Sequence, residues 1–160
     1  MVCLGNICRS PLAEGILQDK ADKAGLKWEV DSAGTANYHM GEAPHILSQK
    51  VANINGIDIS YQHGRQFKKE DMLAFDKIYV MDSENYIDVK RISGKLWNEE
   101  KVDLLLNELF PGRNMSVPDP WYGTEEGFHK VFKLISDACE KIIEKYSPNL
   151  KGVRQNINNQ

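Results

Sequence analysis

Apolar and polar residues recur along the chain with the spacing of helices and of short strands in alternation. The first helix is predicted to begin at Ser10-Pro11 and to end at Gly25, because serine can cap a helix and proline is favoured in its first turn. Further helical patterns follow at 43–56, 69–75, 82–92 and 124–146. Strands are predicted where the chain reaches Cys3 and at 28–31, 77–81 and 115–117, whereas the type of the apolar run 104–110 stays open.

The last predicted helix carries the clearest signals. Thr124 stands at its N-cap, and Glu125 and Glu126 suit the positive end of the helix dipole. Apolar residues then form one stripe at helical spacing as far as Tyr146. Cys139 lies on this stripe, so we predict that it is a buried, inert thiol.

Strands that alternate with helices are typical of a parallel sheet with helices on both faces. We therefore predict a single α/β domain over residues 1–147, built on a four-stranded parallel sheet. Residues 148–160 are polar and aperiodic and are predicted to form a C-terminal tail.

Composition excludes several classes of protein. The 160 residues carry a formal net charge of −3, which gives no overall electrostatic case for binding nucleic acid or a membrane surface. No apolar run approaches the ~20 residues of a membrane span, and the start lacks the pattern of a signal peptide. With three cysteines we expect no disulfide scaffold and a cytoplasmic location. The cysteines and four histidines lack the spacing of a zinc site, so we expect neither a metal nor a cofactor.

The chemistry is concentrated between Cys3 and Ser10, just before the first helix. Gly5 and Asn6 tolerate unusual backbone angles, so this loop can curl with its N–H groups pointing inward. Such a loop at a helix N-terminus binds anions, and the planar fork of Arg9 matches two phosphate oxygens. The same positive field favours the thiolate form of Cys3, which would then be a nucleophile directed at phosphorus.

The segment VCLGNICRSPLAE at 2–14 closely resembles the phosphate-binding loop of the low-molecular-weight protein tyrosine phosphatases. Three further segments are similar to that family, in the same order: DSAGT at 31–35, FDKIYVMD at 75–82 and PDPWYG at 118–123. The resemblance spans roughly residues 2–146. It implies a phosphate loop between the first strand and the first helix, and hydrolysis of phosphotyrosine.

The resemblance also implies a role for each matching position. Cys3 would be the nucleophile that becomes a phosphocysteine, and Arg9 would bind the phosphate and stabilise the transition state. Asp119 would protonate the leaving phenolate and later activate water. An aspartate between two prolines is held in place, which suits a proton donor.

Other matching positions would support the loop. Ser10 would donate a hydrogen bond to the thiolate, and Asn6 would hold the strained loop with Ser32 as its partner. The remaining loop positions that match are Leu4, Gly5, Ile7 and Cys8. Cys3 and Cys8 are expected to pair on oxidation, with the alternative that Cys8 only packs under the loop.

The substrate slot would be rimmed by side chains that suit a phenyl ring. The resemblance implies Tyr38, Trp121 and Tyr122 for this rim, together with Leu4 and Ile7. The expected partner is a tyrosine-phosphorylated protein, such as a bacterial tyrosine kinase or a capsule-assembly protein. Phosphate or another oxyanion would occupy the loop.

The chain departs from the family in two places. It begins at Met1-Val2, so the first, central strand is predicted to be shortened. Where the family often has His-x-Ala-Arg, the chain has Gln62-His63-Gly64-Arg65, so the histidine's supporting role is not transferred to His63. The other histidines, His39, His45 and His129, are expected to be at the surface or partly packed.

Three alternatives stay open. A thioredoxin-coupled arsenate reductase of this fold needs resolving cysteines, yet the chain has none between Cys8 and Cys139. A protein-arginine phosphatase of the same family carries threonine at the position of Ile7, whose branched apolar side chain favours phosphotyrosine. A non-catalytic phosphate-binding module would be expected to lack the nucleophile or the acid.

Overall fold

Four short parallel strands form the central sheet of the computed structural model, which describes residues 1–147. The strands are β1 (Val2–Cys3), β2 (Ala33–Gly34), β3 (Ile78–Val80) and β4 (Val102–Leu104), in the order β2-β1-β3-β4. Val2 pairs with Ala33 on one side and with Val80 on the other, so β1 lies inside the sheet. The predicted four-stranded parallel sheet is confirmed.

Five α-helices accompany the sheet within the described residues. They are α1 (Arg9–Lys23), α2 (Ile46–Ile54), α3 (Asp71–Ala74), α4 (Ser83–Ser93) and α5 (Glu125–Tyr146). Three single 3₁₀ turns, Gly94–Leu96, Glu99–Lys101 and Leu105–Asn107, complete the elements. Each predicted helix is present, with ends that differ from the prediction by a few residues.

Helices cover both faces of the sheet because successive strand residues point to opposite sides. On one face Cys3 and Tyr79 pack with apolar residues of α1 and α5. On the other face Val2, Ile78 and Val80 pack with residues of α3 and α4. The two apolar clusters confirm the predicted layering.

Two of the predicted strands are wrong. Residues 28–31 are not part of the sheet, because the side-chain amide of Gln18 binds their backbone: it donates to the Trp28 carbonyl at 2.9 Å and accepts from the Val30 N–H at 3.0 Å. The strand forms instead at Ala33–Gly34. Residues 115–117 form no strand either, although the Val117 N–H donates to the Met81 carbonyl at 2.8 Å. The fourth strand is Val102–Leu104, next to the apolar run whose type stayed open.

Cys139 is fully buried within α5, as predicted. Burial raises the pKa of its thiol to about 12, so it is protonated and unreactive at neutral pH. The predicted tail, 148–160, lies outside the described residues. Within 1–147 no helix is long and apolar enough to cross a membrane.

One cavity lies away from the loop that follows β1. It has a volume of about 770 Å³ and opens at the amino end of β1, between residues 27–33 and residues 74–79. Cys3 stands at the carboxyl end of the same strand. Cys3 and the loop that follows it therefore lie at the opposite edge of the sheet from this cavity.

Candidate active site

The carboxyl ends of parallel strands meet at one edge of a sheet, and there the predicted residues converge. β1 ends at Cys3, the loop 4–8 follows, and α1 begins at Arg9. β3 leads to Asp82, which caps α4, and the segment after β4 brings Asp119 to the same place. One short loop and two neighbouring segments thus build the site.

Asn6 holds the loop in a strained conformation. Its φ of +56° lies in the left-handed region, which asparagine tolerates better than most residues. Its side-chain amide donates to the hydroxyls of Ser10 at 2.8 Å and Ser32 at 2.9 Å, and its carbonyl accepts from the Arg65 N–H at 3.1 Å. All the polar atoms of this side chain are therefore used to fix the loop.

Gly34 lets β2 approach the loop closely. A Cβ atom at this position would lie 2.8 Å from the Leu4 carbonyl oxygen, which is too short for any side chain. The Thr35 N–H donates to the Cys3 carbonyl, and the Ala36 N–H donates to that of Leu4, both at 2.9 Å. The end of the DSAGT segment and the following Ala36 therefore hold the start of the loop through backbone hydrogen bonds.

Two donors face the sulfur of Cys3, which is buried. The Asn6 N–H lies 3.3 Å from Sγ, and the hydroxyl oxygen of Ser10 lies 3.0 Å from it. Because the Ser10 oxygen already accepts from the Asn6 amide, its own proton is available to the sulfur. Ser10 therefore bonds the sulfur, and the N-cap position that the sequence suggested for it belongs to Cys8.

Arg9 is almost fully buried, and its guanidinium lies between acidic groups. Nη1 donates to Asp82 Oδ2 at 2.8 Å and to the Val117 carbonyl at 3.1 Å, while Nη2 lies 3.6 Å from Asp119 Oδ2. Burial opposes the charge, but Cys3 and the hydrogen bond to Asp82 raise the pKa of Arg9. The site therefore holds a permanent, oriented cation.

Asp119 reaches the site from an exposed loop. One carboxylate oxygen accepts from the Trp121 N–H at 3.1 Å, and the other faces Arg9. About 42% of its side chain is accessible to solvent. A carboxyl group so placed can exchange protons with water and also reach an atom bound near Arg9.

A second polar layer lies behind the loop. Ser32 donates to Glu14 Oε1 at 2.9 Å, and burial raises the pKa of Glu14 to about 7 although this hydrogen bond opposes the shift. Arg65 binds Asp31 at 3.0 Å and Asp71 at 2.9 Å, which fixes the segment that donates to Asn6. Neither Glu14 nor Arg65 was assigned a role from the sequence.

The missed residues did leave signals in the sequence. Glu14 stands four positions after Ser10, which places both on the same face of α1. Asp82 stands at the start of the helix predicted over 82–92, and it caps α4, accepting from the Asn85 N–H at 2.8 Å. Its other carboxylate oxygen binds Arg9, a second use that spacing along the chain does not reveal.

The predicted rim residues are solvent-accessible, with one exception. Leu4, Tyr38, Trp121 and Tyr122 are exposed, whereas Ile7 is buried against Val51 and Phe128. Ile7 therefore supports the loop from below, which disagrees with its expected place on the rim. His63 is exposed.

Cys8, the last residue of the loop, packs in the same apolar cluster as Ile7, Val51 and Phe128. It is buried, and burial raises the pKa of its thiol to about 12. Cys3, Cys8 and Cys139 are all free thiols. Within residues 1–147 no group of three histidine, cysteine or acidic side chains is arranged to hold a metal ion.

Comparison with known proteins identifies the family. The family described as low molecular weight phosphotyrosine protein phosphatase matches residues 1–155. A putative low molecular weight protein-tyrosine-phosphatase of Synechocystis is 38% identical over 153 residues, which cover 93% of this chain and 96% of that protein. The chain belongs to the low molecular weight protein-tyrosine phosphatase family, whose named members are phosphoric monoester hydrolases.

Solved structures agree with this assignment. A protein tyrosine phosphatase from Entamoeba histolytica, crystallised with Hepes in the active site, has a TM-score of 0.84 and 35% identity, covering 92% of this chain and 95% of that one. A Drosophila arginine phosphatase also has a TM-score of 0.84, with 29% identity, covering 91% of this chain and 95% of that one. The fold is therefore shared by phosphatases named for different phosphorylated residues.

Proposed function

We propose that the protein hydrolyses phosphotyrosine through a phosphocysteine on Cys3, with Asp119 as general acid and base. The observation that carries this proposal is the convergence of a buried sulfur, a buried guanidinium and an exposed carboxyl group. Cys3 accepts two hydrogen bonds at the start of α1, and Arg9 Nη2 stands 3.6 Å from Asp119. These groups supply a nucleophile, an anion clamp and a proton donor.

In the first step the Cys3 thiolate attacks phosphorus opposite the ester oxygen. The S–P bond forms as the P–O bond to the phenol breaks, and the Asp119 carboxyl gives its proton to the departing oxygen. Arg9 binds two equatorial oxygens with the donors that Asp82 and Val117 leave free. We expect the N–H groups of the loop to bind the remaining phosphate oxygen and its negative charge.

In the second step water attacks the phosphocysteine. The Asp119 carboxylate takes a proton from this water, and the P–S bond breaks to release inorganic phosphate. The Ser10 hydroxyl, 3.0 Å from the sulfur, stabilises the departing thiolate. The enzyme returns to its starting state, with no cofactor in the balance.

The choice of phosphotyrosine rests on the side chains beside the acid. Trp121 is two residues from Asp119, is 41% exposed, and offers an aromatic surface to a phenyl ring. The similarity to a Drosophila arginine phosphatase makes phosphoarginine the second candidate. Ile7 bears on this choice less directly than the sequence suggested, because its side chain is buried.

Phosphotyrosine, phosphoserine and phosphoarginine versions of one peptide, assayed side by side, test this proposal. We expect kcat/KM for phosphotyrosine to exceed the other two by at least tenfold. A preference for phosphoarginine would instead indicate a protein-arginine phosphatase that uses the same residues. Turnover of arsenate only when thioredoxin is present would instead favour a reductase. We also propose a cytoplasmic location, because all three thiols are free.

A further inference from the structure

Three parts of the active site meet at His45. Its backbone N–H donates to the Ile7 carbonyl in the phosphate loop at 2.7 Å. Its ring nitrogen Nδ1 accepts from the Leu47 N–H at 3.1 Å, so the side chain caps α2. Its ring stacks on Phe128 of α5, with centroids 4.9 Å apart, and meets Trp121 edge-on at 5.4 Å.

We propose that His45 is a positioning residue that fixes the Asp119 loop relative to the phosphate loop and so sets the efficiency of proton transfer to the leaving group. The proposal rests on the function proposed above. His45 touches none of the reacting atoms and acts through Trp121.

The connection from His45 to Asp119 is short. The Trp121 N–H donates to Asp119 Oδ1, so the orientation of the carboxylate depends on where the backbone of residue 121 lies. The Trp121 indole is held between two imidazoles, with His45 at 5.4 Å and His39 at 5.6 Å. Asp119 and Trp121 are exposed and Pro120 between them is buried, so these ring contacts add to the restraint that Pro120 and the Arg9 contact place on the loop.

Histidine combines two functions that other residues supply only separately. Because Nδ1 accepts from the Leu47 N–H, the ring proton of the neutral form is on Nε2. Asparagine could supply the cap acceptor without the ring, whereas phenylalanine could supply the ring without the acceptor. The two functions can therefore be tested one at a time.

The experiment compares His45→Asn with His45→Phe. The measurement is kcat/KM for aryl phosphates whose leaving phenols differ in acidity, because kcat/KM reports the step in which the phenol departs. For His45→Asn we expect kcat/KM for phenyl phosphate to fall roughly 3- to 10-fold, the effect of losing one aromatic pair. Activated aryl phosphates should lose much less, and the inhibition constant of inorganic phosphate should not change.

His45→Phe should behave in the opposite way. It should keep the wild-type dependence on the leaving group and should have a lower Tm, because the α2 cap is lost. His129→Asn is the matched control: His129 lies on α5, is exposed and pairs only with Glu125 among the contacts described. We expect this variant to match the wild type in every assay.

A double mutant separates positioning from general loosening of the fold. In an Asp119→Asn background the His45→Asn change should have no further effect on phenyl phosphate, because the group it positions is absent. Additive losses, or a wild-type dependence on the leaving group in His45→Asn, would overturn the proposal. If the wild type hydrolysed no aryl phosphate, the proposed function itself would fail, which is a distinct result.

Discussion

Asp82 Oδ2 forms a salt bridge with Arg9 Nη1 at 2.8 Å, where the phosphate loop meets α1. The Arg9 side chain is 4% exposed and that of Asp82 is 21% exposed, so solvent screens this pair only partly. Nη1 donates to both Asp82 and the Val117 carbonyl, so Nε and Nη2 remain as donors for a ligand, with Nη2 3.6 Å from Asp119 Oδ2. Two such donors of a guanidinium bind two oxygens of a phosphate in one plane.

Arg9→Lys should therefore cost far more than conservation of charge suggests. A single ammonium group cannot bind Asp82 and also hold two phosphate oxygens. We expect kcat/KM for an aryl phosphate to fall by roughly 10² or more, the loss typical of a transition-state donor. A small change confined to KM would show that Arg9 only binds the ground state.

Asp119→Asn should affect substrates according to their leaving group. An asparagine has no acidic proton to give, so kcat/KM should fall strongly for phenyl phosphate and much less for activated aryl phosphates. An equal loss for every leaving group would remove Asp119 from the proton transfer.

Glu14 should make the stability of the protein depend on pH. Burial raises its pKa from 4.5 to about 7, so between these values the folded protein holds a proton that the unfolded chain has released. The free energy of unfolding should therefore fall as the pH rises through this window. Glu14→Gln keeps an acceptor for Ser32 and removes the charge, so it should lose less stability over the same window.

Urea unfolding of both proteins at pH 5 and pH 8 measures this effect. We expect the wild type to lose of the order of 1–3 kcal/mol more than Glu14→Gln between the two conditions. The neighbouring carboxylate of Asp31 acts in the same direction on the pKa of Glu14 and is unchanged in the variant. If the free energy of unfolding depends on pH identically in the two proteins, the raised pKa of Glu14 is contradicted.

Peroxide should inactivate the enzyme reversibly. It transfers an oxygen atom to the Cys3 thiolate, giving a sulfenic acid and hydroxide, and the Cys8 thiol then displaces the sulfenic oxygen as water to form a disulfide. Burial raises the pKa of Cys8 to about 12, so Cys8 is not itself the first target. Dithiothreitol should restore activity, and phosphate should protect by filling the loop.

Two variants test the part that Cys8 plays. Cys8→Ala should recover less activity, because the unprotected sulfenic acid is oxidised further to an irreversible state. Cys139→Ala is the control, since that thiol is buried in α5 and should not affect recovery. If the wild type and Cys8→Ala recover equally, Cys8 is only a packing residue.

The sequence predicted the meeting of the loop residues well because these residues are close together in the chain. Cys3, Asn6, Arg9 and Ser10 lie within eight positions, so their meeting at the start of α1 follows from local geometry. The prediction that Asn6 bonds Ser32 is confirmed, and it came from the family resemblance.

The remaining contacts depend on packing between distant segments. Arg9 and Asp82 are 73 positions apart, and no spacing rule links them. The wrong strand at 28–31 has the same origin, because Gln18 of α1 takes backbone groups that would otherwise pair with a strand. Likewise His45 reaches Trp121 only because α2, α5 and the Asp119 loop pack together.

The role of Cys3 is tested most directly by Cys3→Ser, assayed for turnover and for binding of a phosphate analogue. Serine is not ionised at neutral pH, while the loop amides and Arg9 remain, so hydrolysis of an aryl phosphate should be abolished. Vanadate or phosphate should still bind the variant. In the wild type, rapid quenching during turnover should place the phosphoryl group on the peptide that contains Cys3. Hydrolysis by Cys3→Ser at even a few per cent of the wild-type rate, or a phosphoryl group on another residue, would contradict the mechanism.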